Sequence, residues 1–203
     1  MTEKLTAPPK KEYQSFHDFP IVTDLDNFEA DIALLGIPFG DPYSMGEASN
    51  DQSTAPTHVR RYCERALRDL DRYDFDIGGT LLNGEDIKVV DCGDVIGVAK
   101  DIAGNHNRSE QAMRKILSAG AMPIILGGDH AIPIPVFRAF EDHGPITLVQ
   151  VDAHIDWRDV FMVCATVSQM LLEELRKWII STKFFRLVFV QPVVQDQKIL
   201  KQL

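Results

Sequence analysis

Two short motifs combine histidine and aspartate, the residue types that bind transition-metal ions. The first reads Gly127-Gly128-Asp129-His130, and the second reads Asp152-Ala153-His154-Ile155-Asp156. In an extended segment side chains repeat with a period of two, so Asp152, His154 and Asp156 lie on one face. Such a mixed set of carboxylates and imidazoles suits Mn²⁺, with Zn²⁺, Fe²⁺ or Co²⁺ as alternatives. Asp152 is the candidate bridge between two ions about 3.5 to 4 Å apart, a spacing that makes a shared water nucleophilic near neutral pH.

Each motif directly follows a short apolar run. Residues 122–126 precede the first motif and residues 146–151 precede the second, and Gly and Pro bound both runs. Such runs are typical of strands buried in a parallel sheet. Because ligands bind at the carboxyl ends of parallel strands, the two motifs are predicted to meet in one crevice.

The remaining pattern alternates strands with helices. Further strands are predicted at residues 32–37 and 87–90, the second ending in a turn at residues 91–94. A helix capped by Thr54 is predicted to bury the apolar positions that recur at three- and four-residue spacing, namely Val59, Tyr62, Cys63, Ala66, Leu67 and Leu70. Two more helices are predicted at residues 106–119 and 136–142, the last delayed by two prolines. The alternation predicts an α/β fold, a three-layer parallel sheet with helices on both faces.

The motifs resemble those of a known family, the ureohydrolases, which comprises arginase, agmatinase, guanidinobutyrase and their relatives. Its members carry GGDH and DAHxD, and both are intact here at residues 127–130 and 152–156. Residues 91–95 resemble the D-x-G-D-V strand end of the family, and residues 36–39 resemble its first strand-to-loop turn. The sequence after Asp156 is similar to the agmatinase and guanidinobutyrase branch. Residues 48–56 depart from the R-P-G-A-R-x-G-P loop that shapes the substrate pocket of many members.

The resemblance implies a function and a ligand set. It implies hydrolysis of a guanidino compound of the agmatine or guanidinobutyrate type, which releases urea and an amine through a metal-bridging hydroxide. It also implies two Mn²⁺ ions, with His130 and Asp156 on one, His154 on the other and Asp152 between them. Catalytic residues beyond these ligands are not assigned. The expected fold is that of the arginases and deacetylases, incomplete at its carboxyl end.

The ligand set is incomplete because the family supplies further carboxylates from a later S-x-D-x-D-x-x-D-P segment. After Asp159 the chain holds one Asp, two Glu and no His, and its last glycine is Gly144. Residues 1–29 are therefore interpreted as a leader, 30–159 as a partial ureohydrolase domain and 160–203 as an apolar tail of foreign sequence. A frameshift, a splice change or a wrongly assigned gene end would explain that tail. Its pattern predicts a helix at residues 167–180 and a strand at 184–190, read as an aggregation-prone segment or as an added strand on the sheet.

Composition bounds the remaining properties. The 203 residues are enough for one α/β domain, and the net charge of −9 argues against nucleic acid as a partner. No apolar stretch approaches the length of a membrane span, so the protein is expected to be cytoplasmic and not membrane-bound. Three cysteines at unrelated spacings suggest reduced thiols. The expected partner is a small guanidino substrate, and a homo-oligomer stays open.

Alternative interpretations concern both the chain and single residues. The chain could be a catalytically inactive remnant with at most residual metal binding. A third interpretation is a metal-dependent deacetylase, but the histidine pair typical of those enzymes is not visible in this sequence. Asp91 and Asp94 are expected to hold a loop or cap a helix through hydrogen bonds rather than to line the crevice. Trp157 and Arg158 either close the site or pack within their loop. Three histidines are expected not to bind metal, namely His58, His106 and His143.

Overall fold

The computed structural model describes residues 4–9, 15–39, 51–66, 70, 72–129, 131–144, 146–152 and 183–188. The chain forms two compact units, Met1–Glu141 and Asp142–Leu203. Among the described residues, the first unit holds a four-stranded sheet, three α-helices and two short 3-10 helices, and the second holds a parallel pair of strands.

The sheet of the first unit consists of β1 (Thr6–Ala7), β2 (Ile32–Gly36), β3 (Val89–Val95) and β4 (Met122–Leu126), in the order β1-β3-β2-β4. Strands β3, β2 and β4 are parallel, which confirms the predicted α/β architecture, and β1 adds an antiparallel edge. The apolar runs predicted β2 and β4 correctly. The predicted turn at residues 91–94 is wrong, because these residues continue β3.

The edge of β3 is paired with two parts of the described amino-terminal chain, one at residues 6–7 and the other at residues 20–22. Thr6 pairs with Val95, and farther along the strand the backbones of Pro20 and Val22 bond to Asp91 at 2.9 Å. Gly93 permits this approach, since it has φ +73° and a Cβ atom there would collide with the carbonyl oxygen of β1. The described part of the predicted leader therefore packs on the sheet.

The first helix, α1 (Ala55–Ala66), follows a 3-10 turn at Asp51–Thr54 and confirms the predicted helix at this place. The prediction of its buried face was wrong: Val59 is 40% exposed and Tyr62 is 62% exposed, whereas Pro56 and Arg60 are buried. These two residues are four positions apart and so lie on the same face. The buried face thus includes a charged side chain, which apolar periodicity cannot reveal.

The other two helices begin earlier than predicted. Helix α2 (Ile102–Ser118) begins after Asp101, whose carboxylate accepts a hydrogen bond from the Gly104 amide at 3.0 Å and caps the first turn. Helix α3 (Pro133–Ala139) begins at its first proline, so the predicted delay was wrong. A proline is tolerated in the first turn because the amides there have no partner within the helix.

Both faces of the sheet are packed. Leu35 and Ile37 lie in the larger apolar core with Met113 and Ile116 of α2, and all four are fully buried. Leu34, which points the opposite way along β2, packs with residues of a second cluster, namely Val89, Leu126, Phe16 and Phe19. This arrangement agrees with the predicted burial of β2 on both faces, whereas the predicted burial of β4 is wrong, because Met122 is 55% and Ile124 is 39% exposed on this edge strand.

The second unit contains β5 (Thr147–Asp152) and β6 (Lys183–Val188), which pair in parallel from Thr147 with Lys183 to Asp152 with Val188. The strands predicted near residues 146–151 and 184–190 are confirmed. The helix predicted at residues 167–180 lies outside the described residues. Among the described helices, none combines the length and the apolar character needed to cross a membrane.

Candidate metal centre

Of the four predicted metal ligands, one lies among the residues that the structure describes. Asp152 is the last residue of β5, as the motif required, whereas His130, His154 and Asp156 lie outside the described residues. Within the described part of the chain, no three His, Cys, Asp or Glu side chains form a cluster suited to a metal. Two imidazoles and two carboxylates are a donor set that fits Mn²⁺. The ligand set itself stays a prediction.

The turn after β4 is closed by Asp129. Its carboxylate Oδ1 accepts a hydrogen bond from the Ala131 amide at 2.9 Å, and its carbonyl accepts one from the Ile132 amide at 3.4 Å. These two bonds span the position of His130 in the chain. Such a side-chain bond to the amide two residues on is typical of aspartate in a turn. Asp129 therefore fixes the backbone on both sides of the predicted ligand.

The carboxyl ends of three parallel strands lie side by side at this edge of the sheet. Gly36, at the end of the central strand β2, is level with Asp94 of β3 on one side and with Leu126 of β4 on the other. One residue later, the amide of Ile37 donates to the carbonyl of Leu126 at 2.9 Å. The turn at residues 127–132 thus leaves the sheet beside the ends of both other strands, as expected for a site in a parallel sheet.

A buried ion cluster lies at the same end of the sheet. Arg60 of α1 donates from Nε and Nη2 to the two carboxylate oxygens of Asp91 at 2.8 and 2.9 Å, and from Nη1 to Asp94 at 2.6 Å. The side chains of Arg60 and Asp91 are fully buried, and that of Asp94 is 16% exposed. Asp91 also accepts from the amides of Phe16 and Gly93 at 2.9 Å. Every charge in the buried pair is therefore hydrogen-bonded, which is the condition for retaining it in the interior.

The cluster coincides with an irregularity in β3. Between its two pairings with β2 the register advances two residues on β2, from Leu34 to Gly36, and three residues on β3, from Asp91 to Asp94. Arg60 Nη2 also bonds to the carbonyl of Gly93 at 3.1 Å, inside this bulge. An extra residue of this kind bends a strand and redirects its side chains. Arg60 thus holds the bulge from both sides.

The cluster changes the ionisation of its members. Burial lowers the pKa of Arg60, but the hydrogen bonds and charges of Asp91 and Asp94 outweigh it, and the pKa of the guanidinium is raised. The thiol of Cys92 is fully buried beside Asp91, and its pKa rises to about 12 because of burial and that carboxylate, with Arg60 opposing. The arginine stays charged and the cysteine stays a neutral thiol near neutral pH.

These contacts bear out the expectation that Asp91 and Asp94 hold structure through hydrogen bonds. They act inside a strand rather than at a helix end or in a loop. Sequence reasoning missed Arg60, although an arginine on the face of α1 opposite two aspartates at a strand end was a usable signal. Paired opposite charges of this kind satisfy each other when buried.

The chain that leaves β3 is also fixed by side chains. Asn105 of α2 bonds to both the amide and the carbonyl of Val98, at 2.8 and 2.9 Å. Arg108 Nε bonds to the carbonyl of Ile96 at 2.8 Å. Three side-chain bonds thus set the path of residues 96–101, next to the carboxyl end of β3.

The three histidines that were expected not to bind metal lie on α1, on α2 and after α3. His58 and His143 are exposed, and the ring centroid of His106 lies 6.2 Å from that of Phe39. Their predicted absence from the ligand set is untested. Trp157 and Arg158 lie outside the described residues.

The chain is similar in sequence to proteins of one enzyme family. Residues 30–184 match the model of the Arginase family. The chain is 40% identical over 160 residues to human mitochondrial guanidino acid hydrolase, covering 75% of this chain and 42% of that protein. It spans less than half the length of that relative, and of chicken mitochondrial agmatinase.

Solved structures agree on the fold. Proclavaminate amidino hydrolase from Streptomyces clavuligerus superposes with a TM-score of 0.60 at 20% identity, covering 99% of this chain and 63% of that one. Trypanosoma cruzi formiminoglutamase with Mn²⁺ superposes with a TM-score of 0.51 at 21% identity, covering 78% and 52%. The family match runs beyond Asp159, and the division of the chain at that residue stays a prediction.

Proposed function

Because the chain belongs to the arginase family, we propose that its site serves manganese-dependent hydrolysis of a guanidino compound to urea and an amine. The supporting observation is that each ligand motif follows a strand with a parallel neighbour, GGDH after β4, which pairs with β2, and DAHID from the last residue of β5, which pairs with β6. The expected substrates are of the agmatine and guanidinobutyrate type, because the named relatives are an agmatinase and a guanidino acid hydrolase.

The residues that would hold manganese are His130, Asp152, His154 and Asp156. When bound, Mn²⁺ supplies Lewis acidity that makes water nucleophilic near neutral pH. Mn²⁺ in the formiminoglutamase supports the choice of metal. Asp129 contributes by holding the backbone on either side of His130. The net charge of −9 favours the approach of a cationic guanidinium group.

A second candidate is an inactive member that binds at most one metal ion. The observation in its favour is that residues 160–203 hold one aspartate and no D-x-D pair. With the four predicted ligands alone, one ion would have three protein ligands and the other two. Translation of the other two reading frames after codon 159 tests the origin of this tail. A D-x-D segment in either frame supports a frameshift, and its absence from both rejects one.

Metal content and urea release on purified protein separate the two candidates. The protein is supplied with Mn²⁺, its bound metal is counted by mass spectrometry, and urea is measured with agmatine, 4-guanidinobutyrate and arginine. The variant His130→Gln removes a predicted ligand, and His58→Gln is the matched control because His58 is exposed on α1.

About two ions per chain and urea release, lost in His130→Gln and kept in His58→Gln, are expected for the hydrolase. One ion or none without urea supports the inactive member. Equal metal binding in all three proteins would contradict the ligand set. The cytoplasmic location stays a prediction, which fractionation of cells producing the tagged chain would test.

A further inference from the structure

The buried cluster of Arg60, Asp91 and Asp94 rests directly on the backbone of a neighbouring strand. At Gly36 a Cβ atom would overlap Oδ1 of Asp94 and lie 3.1 Å from Nη1 of Arg60. The ion pair between Arg60 and Asp94 therefore occupies the space that a side chain at Gly36 would need. Any movement of this ion pair changes the packing on the end of β2.

The end of β2 is in turn joined to β4. The two strands pair without interruption from Ile32 with Met122 to Gly36 with Leu126. The bond from the Ile37 amide to the Leu126 carbonyl extends the pairing by one more residue. Gly36 therefore lies between the ion pair on one side and the last residue of β4 on the other.

His130 follows Leu126 by four positions, across the turn that Asp129 closes. Close-packed interiors transmit small displacements rather than absorb them. Partners that orient metal ligands from outside the coordination sphere typically change metal affinity about 10- to 100-fold when mutated.

We propose that Arg60 is a positioning residue for the metal centre, which acts through Asp94, Gly36 and the end of β4 on the turn that carries His130. This inference rests on the proposed function, since it assumes that His130 binds metal. It assigns a role to a residue that lies on a helix, outside both ligand motifs. The bulge in β3 is the device that brings Asp94 level with Gly36 and so makes the connection.

The test measures Mn²⁺ affinity from the electron paramagnetic resonance signal of free Mn²⁺ during titration, which requires no turnover. Gly36→Ala is the main variant, because its Cβ atom would take the position of Oδ1 of Asp94 and so displace that carboxylate. Arg60→Met removes the whole cluster, and Arg60→Lys restores the charge without the two-pronged geometry. Met113→Ala is the control for general stability, since it opens a cavity at a fully buried residue of α2 that is not a member of the ion cluster.

Affinity is expected to fall about 10- to 100-fold in Gly36→Ala and Arg60→Met and by an intermediate factor in Arg60→Lys. It is expected to stay at the wild-type value in Met113→Ala, although that variant is destabilised. Circular dichroism identifies variants that do not fold, and Asp94→Ala, which removes the carboxylate between Arg60 and Gly36, then replaces them with the same expected loss.

The outcomes separate the two proposals. Wild-type protein that binds no Mn²⁺ contradicts the proposed function and, with it, this inference. Wild-type binding with unchanged affinity in Gly36→Ala and Arg60→Met overturns the positioning role alone. An equal loss in Met113→Ala shows that affinity follows general stability, which also overturns it.

Discussion

Replacement of Arg60 by methionine is expected to be among the most destabilising single changes on α1. Methionine keeps much of the volume of arginine and removes four hydrogen bonds, three of them to the carboxylates of Asp91 and Asp94. The carboxylate of Asp91 then stays fully buried with only the amides of Phe16 and Gly93 as donors. Leaving one partner of a buried ion pair uncompensated costs about 3 to 5 kcal/mol.

The remaining backbone donors place the expected loss at the lower end, about 3 kcal/mol. For a chain of this length that corresponds to a decrease in Tm of roughly 6 to 12 °C. Asp94→Asn is expected to cost only about 1 kcal/mol, because the side chain is partly exposed and an amide oxygen still accepts from Arg60. Arg61→Met, on the exposed face of the same helix, is expected to change stability by less than about 0.5 kcal/mol.

Urea unfolding followed by circular dichroism measures all three values. The double variant Arg60→Met/Asp91→Asn is informative, since removing both charges is expected to recover part of the loss. A cost below about 1 kcal/mol for Arg60→Met, or an equal cost for Arg61→Met, would refute the view that the buried pair holds α1 against the sheet.

Four further outcomes follow from the described geometry. Gly93→Ala is expected to destabilise the chain and to expose residues 4–9 to protease. Gly78 has a similar positive φ but open space around it, so Gly78→Ala is expected to cost only the left-handed backbone strain of about 1 to 2 kcal/mol. Equal effects of the two variants in urea unfolding and limited proteolysis would contradict the steric argument. The thiol of Cys92 is buried and its pKa is raised to about 12, so it is expected to react with iodoacetamide at pH 8 more slowly than the half-buried Cys63. Mass spectrometry of the native protein measures the labelling of both thiols, and faster labelling of Cys92 would contradict this expectation. Because the unfolded thiol ionises near pH 9 and the folded one does not, stability is expected to fall as pH rises from about 9 towards 12, and Cys92→Ala to reduce that slope in urea unfolding. Phe75→Ser is expected to leave the unfolding midpoint unchanged because the side chain is 91% exposed, and a clear decrease would mean that the ring is buried in solution.

The strands were the most predictable part of the fold. Residues 122–126 form a largely apolar run, a local signal that predicted the strand correctly. Its predicted burial was wrong, because β4 is an edge strand on which Met122 is 55% and Ile124 is 39% exposed. Strand β1 left no signal, because two residues cannot show a period. The bulge in β3 was also hidden: Asp-Cys-Gly-Asp is typical of a turn, and it stays in the sheet only because an arginine 31 positions earlier satisfies its charges.

The candidate site was also predictable only in part. The residue types and spacing of the two motifs were enough to propose metal ligands, because coordination chemistry needs few residues close together in the chain. The surrounding support was not predictable in this way. Asp129 acts across only two residues, but Arg60 acts on Asp91 and Gly93 through the fold, and the apolar pattern of α1 indicated the wrong face.

The pairing of β3 with residues 6–7 and 20–22 affects the order of events during synthesis. Thr6 leaves the ribosome long before its partner Val95, and 89 residues take about 4 to 18 s at ordinary elongation rates. During that interval the segment has no strand to pair with, and Phe16 and Phe19 have no sheet to pack on. The nascent chain therefore presents two aromatic side chains to chaperones for seconds, and the sheet can close only after translation has passed residue 95.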